Sequence, residues 1–196
     1  MRIIAGTLKS RRLATPDFEG LRPTSDRLRE TLFNVIAARL DGAHVLDGFA
    51  GTGALGIEAL SRGVTHVTFV DDDRRAIALI GENVRRCGVA DRCVIIRGRL
   101  REIARRLETS PFDLVLLDPP YAEGDLAAVV KAPAEVLASD GLLVLEHARR
   151  REAPVSAGRL LRTRTLTSGD SVLTFYEPGP QRGSRVSPRR RTGAQR

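Results

Sequence analysis

The stretch 45-VLDGFAGTGALGIEAL-60 runs from an apolar strand-like segment into a helix through a turn that holds Gly51, Gly53 and Gly56 in the spacing G-x-G-x-x-G. Glycine at such a turn lets the backbone approach a ligand and lets the following helix lie close to the sheet. Taken alone, the spacing is a weak signal, because nicotinamide and flavin dinucleotide sites share it. Its surroundings are more selective. Asp71 ends the next strand-like run twenty positions after Gly51, where a carboxylate can accept two ribose hydroxyls.

Outward from that turn, short apolar runs alternate with helical periodicity. "HVLDG" (44–48) reads as a strand and "ALGIEALSRG" (54–63) as a helix closed by Gly63. "HVTFVD" (66–71) and "RRAIALIGENVRRCG" (74–88) repeat the pattern, with Asp73 placed to cap the second helix. "CVIIRG" (93–98), "REIARRLE" (101–108), "FDLVLLD" (112–118), a helix over about residues 126–137 and "GLLVLEHA" (141–148) complete it. Five strands with helical crossovers predict a mainly parallel, doubly wound α/β sheet covered on both faces. Residues 158–177 add two β-rich runs around Ser168-Gly169-Asp170, a hairpin signal that brings the expected sheet to seven strands.

The beginning differs. Residues 1–13 read as a short strand pair around Gly6. "RPTSDRLRETLFNVIAARL" (22–40) then reads as an amphipathic helix, with Thr24 or Ser25 as its cap and Leu28, Leu32, Val35 and Ile36 on the buried side. The domain reading is therefore an extension over 1–20, a main α/β domain over 21–177 and an arginine-rich tail over 178–196.

Asp47 separates the candidate ligands. It ends the first strand, four residues before Gly51, and a pyrophosphate over this turn would meet its charge. S-adenosylmethionine carries no phosphate, and its amino and sulfonium groups are both cationic. Asp47 at the methionine end, Gly51–Gly53 along the body and Asp71 on the ribose make a coherent set. Gly98-Arg99-Leu100 follows the third strand, where Leu100 can lie against the adenine; the Arg99 guanidinium offers that ring no acceptor.

Asp118-Pro119-Pro120-Tyr121 ends the fourth strand at the same carboxyl edge. An exocyclic amino nitrogen of a base is a poor nucleophile, since its lone pair is delocalised into the ring. A carboxylate from Asp118 and a carbonyl, that of Pro119, can grip its two hydrogens and turn the lone pair outward. Prolines fix φ and add no competing N–H. Tyr121 can stack on the base, worth roughly 1–3 kcal/mol. A strand-terminating turn is the plain alternative for this motif.

Composition sets bounds. With 196 residues, 42% of them hydrophobic, the chain is long enough for one domain with a full core. It has no run of eighteen apolar residues and opens without an apolar leader, so the expectation is a cytoplasmic protein that spans no membrane. Cys87 and Cys93 lack metal-ligand spacing, and His44, His66 and His147 stand singly; no metal site is expected. The net charge of +8 is concentrated in residues 178–196, which hold six arginines and no acid and leave only +2 on residues 1–177. That tail reads as disordered and able to add sequence-blind RNA affinity. Lys9, Arg11, Arg12 and Arg29 make the amino-terminal region a candidate RNA platform.

These motifs resemble the class I S-adenosylmethionine-dependent methyltransferases with an Asn/Asp-Pro-Pro-aromatic motif. More closely, the chain resembles the bacterial RsmD family, which methylates guanine N2 in 16S ribosomal RNA. The resemblance spans about residues 2–177 and rests on "RIIAG" (2–6), "LRPTSDRLRETLFN" (21–34), "LDGFAGTGALGIEALSRG" (46–63) and "LDPPY" (117–121). It implies cofactor binding by Asp47, Gly48, Phe49, Ala50, Gly51, Gly53, Ala54, Asp71, Arg99 and Leu100. It places Asp118–Tyr121 at the accepting base, and Arg22, Thr24 and Arg27 over the cofactor or on RNA. Gly48 stands where the family pattern has a bulkier residue, which predicts a looser strand end; Arg99 stands where an acid or amide is usual.

The implied substrate is 16S rRNA, within a small ribosomal subunit or its assembly intermediate, acted on by a monomer. Three alternatives keep part of the pattern. An amino-methyltransferase of DNA or other RNA would use the same proline motif, but 196 residues leave little room for a separate target-recognition domain. A non-catalytic RNA-binding assembly factor would not need Asp47, Asp71 and Asp118 together. A dinucleotide-dependent oxidoreductase gives Asp118–Tyr121 no role.

Overall fold

The computed structural model describes residues 1–16, 26–107, 111–120 and 123–180. Its sheet is built from β1 (His44–Asp47), β2 (His66–Asp71), β3 (Cys93–Arg97), β4 (Phe112–Leu117), β5 (Leu137–Ala148), β6 (Ser156–Ala157), β7 (Leu160–Ser168) and β8 (Ser171–Pro178). The order is β3-β2-β1-β4-β5-β8-β7-β6. The pairs among the first five strands are parallel and those of β8, β7 and β6 antiparallel. Chain order runs outward from β1 to β3, then resumes at β4 on the other side of β1. That reversal opens a crevice at the carboxyl ends of β1 and β4, where doubly wound sheets bind ligands.

Two apolar layers enclose the sheet. On one face α1 (Asp26–Val35), α2 (Ala54–Ser61) and α3 (Arg74–Cys87) join the amino-terminal segment in a core that includes Ile3, Phe33, Ile57, Phe69 and Ile80. On the other, α4 (Leu100–Ala104) and α5 (Leu126–Lys131) cover Leu46, Val115, Leu117, Leu143 and Leu145. β1 and β4 are buried along nearly their whole length, as strands covered on both faces must be.

Four expectations change. The described residues hold eight strands rather than seven, because Ser156–Ala157 pairs with Leu160–Leu161 at the sheet edge; two residues are too short to show alternation. The helix expected to about residue 137 stops at Lys131, ahead of Pro133, whose ring and missing N–H break the ladder. The amino-terminal strand pair is a single bridge, Arg2 to Arg12. In α1 the buried stripe is Leu28, Arg29, Leu32 and Phe33, followed by Ile36, whereas Val35 is 36% exposed. The helix's expected caps, Thr24 and Ser25, lie outside the described residues. The hairpin is as expected: Ser168 pairs with Ser171 across Gly169-Asp170, and Gly169 has φ +61°, suited to the first position of a type II′ turn.

Candidate functional site

Three carboxylates meet at the crevice. Asp47 closes β1 and is wholly buried. Its Oδ2 accepts the Gly56 N–H at 2.9 Å, while its Oδ1 is buried without a hydrogen-bond partner among the described residues. Burial pushes the Asp47 carboxyl up to about 7; the Gly56 N–H opposes that, and the charges of Asp118 and Asp71 add to it. Asp71 closes β2 and accepts the Gly51 N–H at 2.8 Å through Oδ2 and the Asp73 N–H at 2.9 Å through Oδ1. Burial raises its carboxyl too, against those two backbone donors. Each Asp71 oxygen keeps a lone pair for another donor. Asp118, half-buried, follows β4 directly.

The glycine loop is shaped by close approach. Gly51 and Gly53 both have positive φ, +55° and +76°, and Gly53 stands before the first residue of α2. A Cβ on Gly56 would lie 2.3 Å from the Phe69 ring, so only glycine lets α2 lie this close to β2. Ala50 N donates to Val70 O, and Gly53 N to Ala50 O. Gly48 corrects the expectation of a loose strand end: a Cβ there would meet Leu117 Cδ2 at 2.5 Å and Leu100 at 3.1 Å. Those two leucines already fill the space. Leu100 is buried at the start of α4, and Gly98 N donates to Asp71 O, which ties the 98–100 turn to β2. Arg99 is exposed at that turn.

In the acceptor motif Pro119 is buried and Pro120 exposed, and Glu123 N donates to Pro120 O at 2.8 Å. Tyr121, Arg22 and Thr24 lie outside the described residues; Arg27 is exposed on α1. Lys9, Arg11 and Arg12 are exposed as well, with Arg11 Nη1 on Arg86 O at 3.1 Å. Arg29 is a correction. It is fully buried, with Nη2 on Arg2 O at 2.8 Å and Asp26 Oδ1 at 2.7 Å, so it holds the amino terminus against α1 instead of presenting charge to RNA.

Positioning residues on α2 and α3 escape the motif reading. Buried Glu58 accepts the N–H groups of Ile4 and Ala5 at 2.7 and 3.0 Å and pairs with Arg62 at 2.8 Å. Ser61 holds residues 5–8, and a Cβ on Gly6 would fall 1.8 Å from Ser61 O. Buried Asn83 bonds both sides of Ala14 and donates to Thr52 O of the glycine loop at 2.9 Å. The available signal was a glutamate inside the otherwise apolar "ALGIEAL", because a charge on a helix buried all round needs a partner.

The family described as conserved hypothetical protein 95 matches residues 1–177. The chain belongs to this family. It is the RsmD family that the motifs resemble, and the match covers the amino-terminal segment, the glycine loop and the proline motif together. Among relatives, YlbH of Bacillus subtilis (strain 168) is 39% identical over 182 residues, 90% of this chain and 98% of its own. Ribosomal RNA small subunit methyltransferase D of Escherichia coli (strain K12) is 32% identical over 179 residues, 90% of this chain and 89% of its own. The solved structure of yhhF from Escherichia coli superposes with TM-score 0.81 at 32% identity, covering 92% of this chain and 99% of that one. The family member described here is therefore a methyltransferase of class I architecture, with an antiparallel close to its parallel sheet.

The residues fit a cationic cofactor. An unpartnered, buried Asp47 oxygen with two further carboxylates near it is a poor place for a diphosphate and a good one for a positive charge.

Proposed function

We propose that this chain transfers a methyl group from S-adenosylmethionine to the exocyclic N2 of a guanine in 16S rRNA. The observation that carries the reading is the buried Asp47 with its unpartnered Oδ1, set beside Asp71 and Asp118 at the switch of the sheet. Membership of the RsmD family and the name of the Escherichia coli relative support the substrate.

The cofactor supplies a methyl on a positively charged sulfur, already a good leaving group. Asp47 receives its cationic methionine end, and the loop over Gly48, Phe49, Ala50, Gly51, Gly53 and Ala54 runs along its body. Asp71 receives the ribose hydroxyls while keeping its two backbone donors. Leu100 lies against the adenine, with Arg99 at the rim. Asp118 accepts one hydrogen of the guanine amine and the Pro119 carbonyl the other, since Pro120 O already serves Glu123. Tyr121 stacks on the base. Alignment and charge complementarity provide most of the acceleration, and the base reaches this edge flipped out or unpaired.

The substrate is the small subunit or its assembly intermediate, and the enzyme acts as a cytoplasmic monomer. Residues 1–20 form an extension that touches RNA through Lys9, Arg11 and Arg12, residues 21–177 the catalytic domain, and residues 178–196 a tail that adds affinity. Among the described residues no helix is long and apolar enough to cross a membrane. The deciding experiment maps methylated nucleotides of 16S rRNA by mass spectrometry, after incubating undermethylated subunits and cofactor with or without the protein. One guanine should gain a single methyl; methyl transfer to DNA and none to ribosomal RNA would overturn the reading.

A further inference from the structure

The sheet face covered by α4 and α5 ends, past the carboxyl end of β5, in a cavity of about 290 Å³ with a cationic wall. Arg149, Arg150 and Arg151 leave β5 directly into that wall, and Arg162 enters it from β7. Among the described residues that line it, Glu152 is the single acid, so four guanidinium groups are set against one carboxylate. His147, at the same wall, adds no charge, because burial holds its imidazole below the ordinary range. Its Nδ1 lies 3.1 Å from the Ala148 carbonyl, which can only accept, so Nδ1 carries the proton. Nε2 then accepts the Thr174 hydroxyl at 2.8 Å.

Backbone features aim the cations. Arg149 N donates to Asp170 O at 2.7 Å, which fixes the chain as it leaves β5. On β7 the register shifts between Arg162 and Arg164: Arg162 pairs with Tyr176, and Arg164 with Phe175. In an unbroken strand, positions three apart face opposite sides. The extra residue, Thr163, brings Arg162 and Thr165 onto the same side, and both line the cavity. Arg162 is further held by its Nη1 on Ala153 O at 3.0 Å.

Position links the cavity to the chemistry. Leu117 pairs with Leu145 at the end of the β4–β5 ladder, so the acceptor motif that follows β4 and the His147 end of β5 leave adjacent strands at the same edge of the sheet. Arg151 bridges the two places, donating through Nη1 to Glu123 O and through Nη2 to Gly124 O at 2.9 Å, on the loop that follows the prolines.

We propose that this cavity seats a phosphodiester group of the RNA strand next to the nucleotide whose base enters the Asp118 edge. The proposal rests on the methyl-transfer reading and states where the strand is held for it. Guanidinium groups match phosphate geometry and hold their charge at any physiological pH. Contacts to phosphate fix register without reading sequence, which is what a base delivered to a neighbouring site requires. Arg151 couples a phosphate so held to the loop that follows Pro119 and Pro120.

The test uses the full chain and the double variant Arg149→Ala/Arg150→Ala, with Arg85→Ala/Arg106→Ala as a charge-matched control elsewhere on the surface. RNA affinity is read by fluorescence anisotropy on a 16S rRNA fragment across a salt series, and cofactor affinity by calorimetry. The double variant should bind RNA about tenfold more weakly at low salt and lower the log–log salt slope by about one, with cofactor affinity unchanged; the control should do neither. Equal losses in both variants would show only net charge and overturn the proposal, as would an unchanged slope. A titration with inorganic phosphate separates the sources: saturation of the cavity by phosphate with no effect on RNA binding would make it a small-anion site and refute the RNA assignment. Loss of RNA affinity in the variant of a wild type that methylates no ribosomal RNA would count against the methyl-transfer reading and still support the cavity.

Discussion

Asp47 carries a proton balance that can be measured. Its folded pKa of about 7 lies above the ordinary 3.8, so folding takes up a proton, and the stability this group contributes is present in acid and lost as pH rises through 7. Asp47→Asn should therefore raise the unfolding free energy at pH 8 by roughly 1–3 kcal/mol, raise it by less than half as much near pH 5, and lose most cofactor affinity at both. Denaturant titrations at the two pH values check the first part. Because a cationic ligand favours the carboxylate, cofactor binding by the wild type near pH 7 should release a proton, visible in calorimetry as a dependence on buffer ionisation enthalpy. Asp118 predicts the opposite division: Asp118→Ala should abolish transfer and leave cofactor affinity within a few-fold, since its proposed role is on the acceptor. Loss of cofactor binding with transfer preserved would reverse the two assignments. Asp47, Asp71 and Asp118 were legible because each follows an apolar run at a strand end, a local signal. Arg29 was not. Its burial depends on where residues 1–3 come to rest against α1, which no spacing records.

Among the elements, the parallel strands were readable as apolar runs and the crossover helices as periodicity, because each pattern repeats within a few residues. What escaped depended on distant partners or on very short pairing: the two-residue β6, the early stop of α5 before Pro133, and the docking of the amino-terminal segment. That docking is set by Glu58, Ser61 and Asn83, polar residues of α2 and α3 that bond backbone groups of residues 4–14. Gly6 is its tightest point, with φ +82° and no room for a Cβ against the Ser61 carbonyl. Gly6→Ala should lower stability by about 2–4 kcal/mol, read from the denaturation midpoint at unchanged m-value. Loosening this segment also frees Asn83, whose amide holds the Thr52 carbonyl, so cofactor affinity should fall although residue 6 is far from the site in sequence. A variant that keeps wild-type stability would show that the segment can move away from α2 at little cost.

At the scale of the molecule, charge is unevenly placed. Residues 1–177 carry +2, and the six arginines of residues 178–196 bring the total to +8. The described fold ends with β8 at Pro178 and the Gly179 N–H on Arg159 O, while all six arginines come later. Truncation after residue 180 therefore removes the charge and spares the sheet. Such a chain should keep its unfolding free energy within about 0.5 kcal/mol, the usual range for changes at the surface. Its RNA affinity should fall, and the salt slope should drop by at most about four, the limit if every arginine of the tail held one phosphate of a single strand. The identity of the methylated nucleotide should not change, because phosphate contacts from a tail would carry no base information and the Asp118 edge is untouched. Anisotropy over a salt series and nucleotide mapping measure the two effects separately. A full-length slope retained by the truncated chain would place the electrostatic attraction on the folded domain, on the amino-terminal arginines and the wall beside β5. A shift in the methylated position would mean that the tail helps to choose the target.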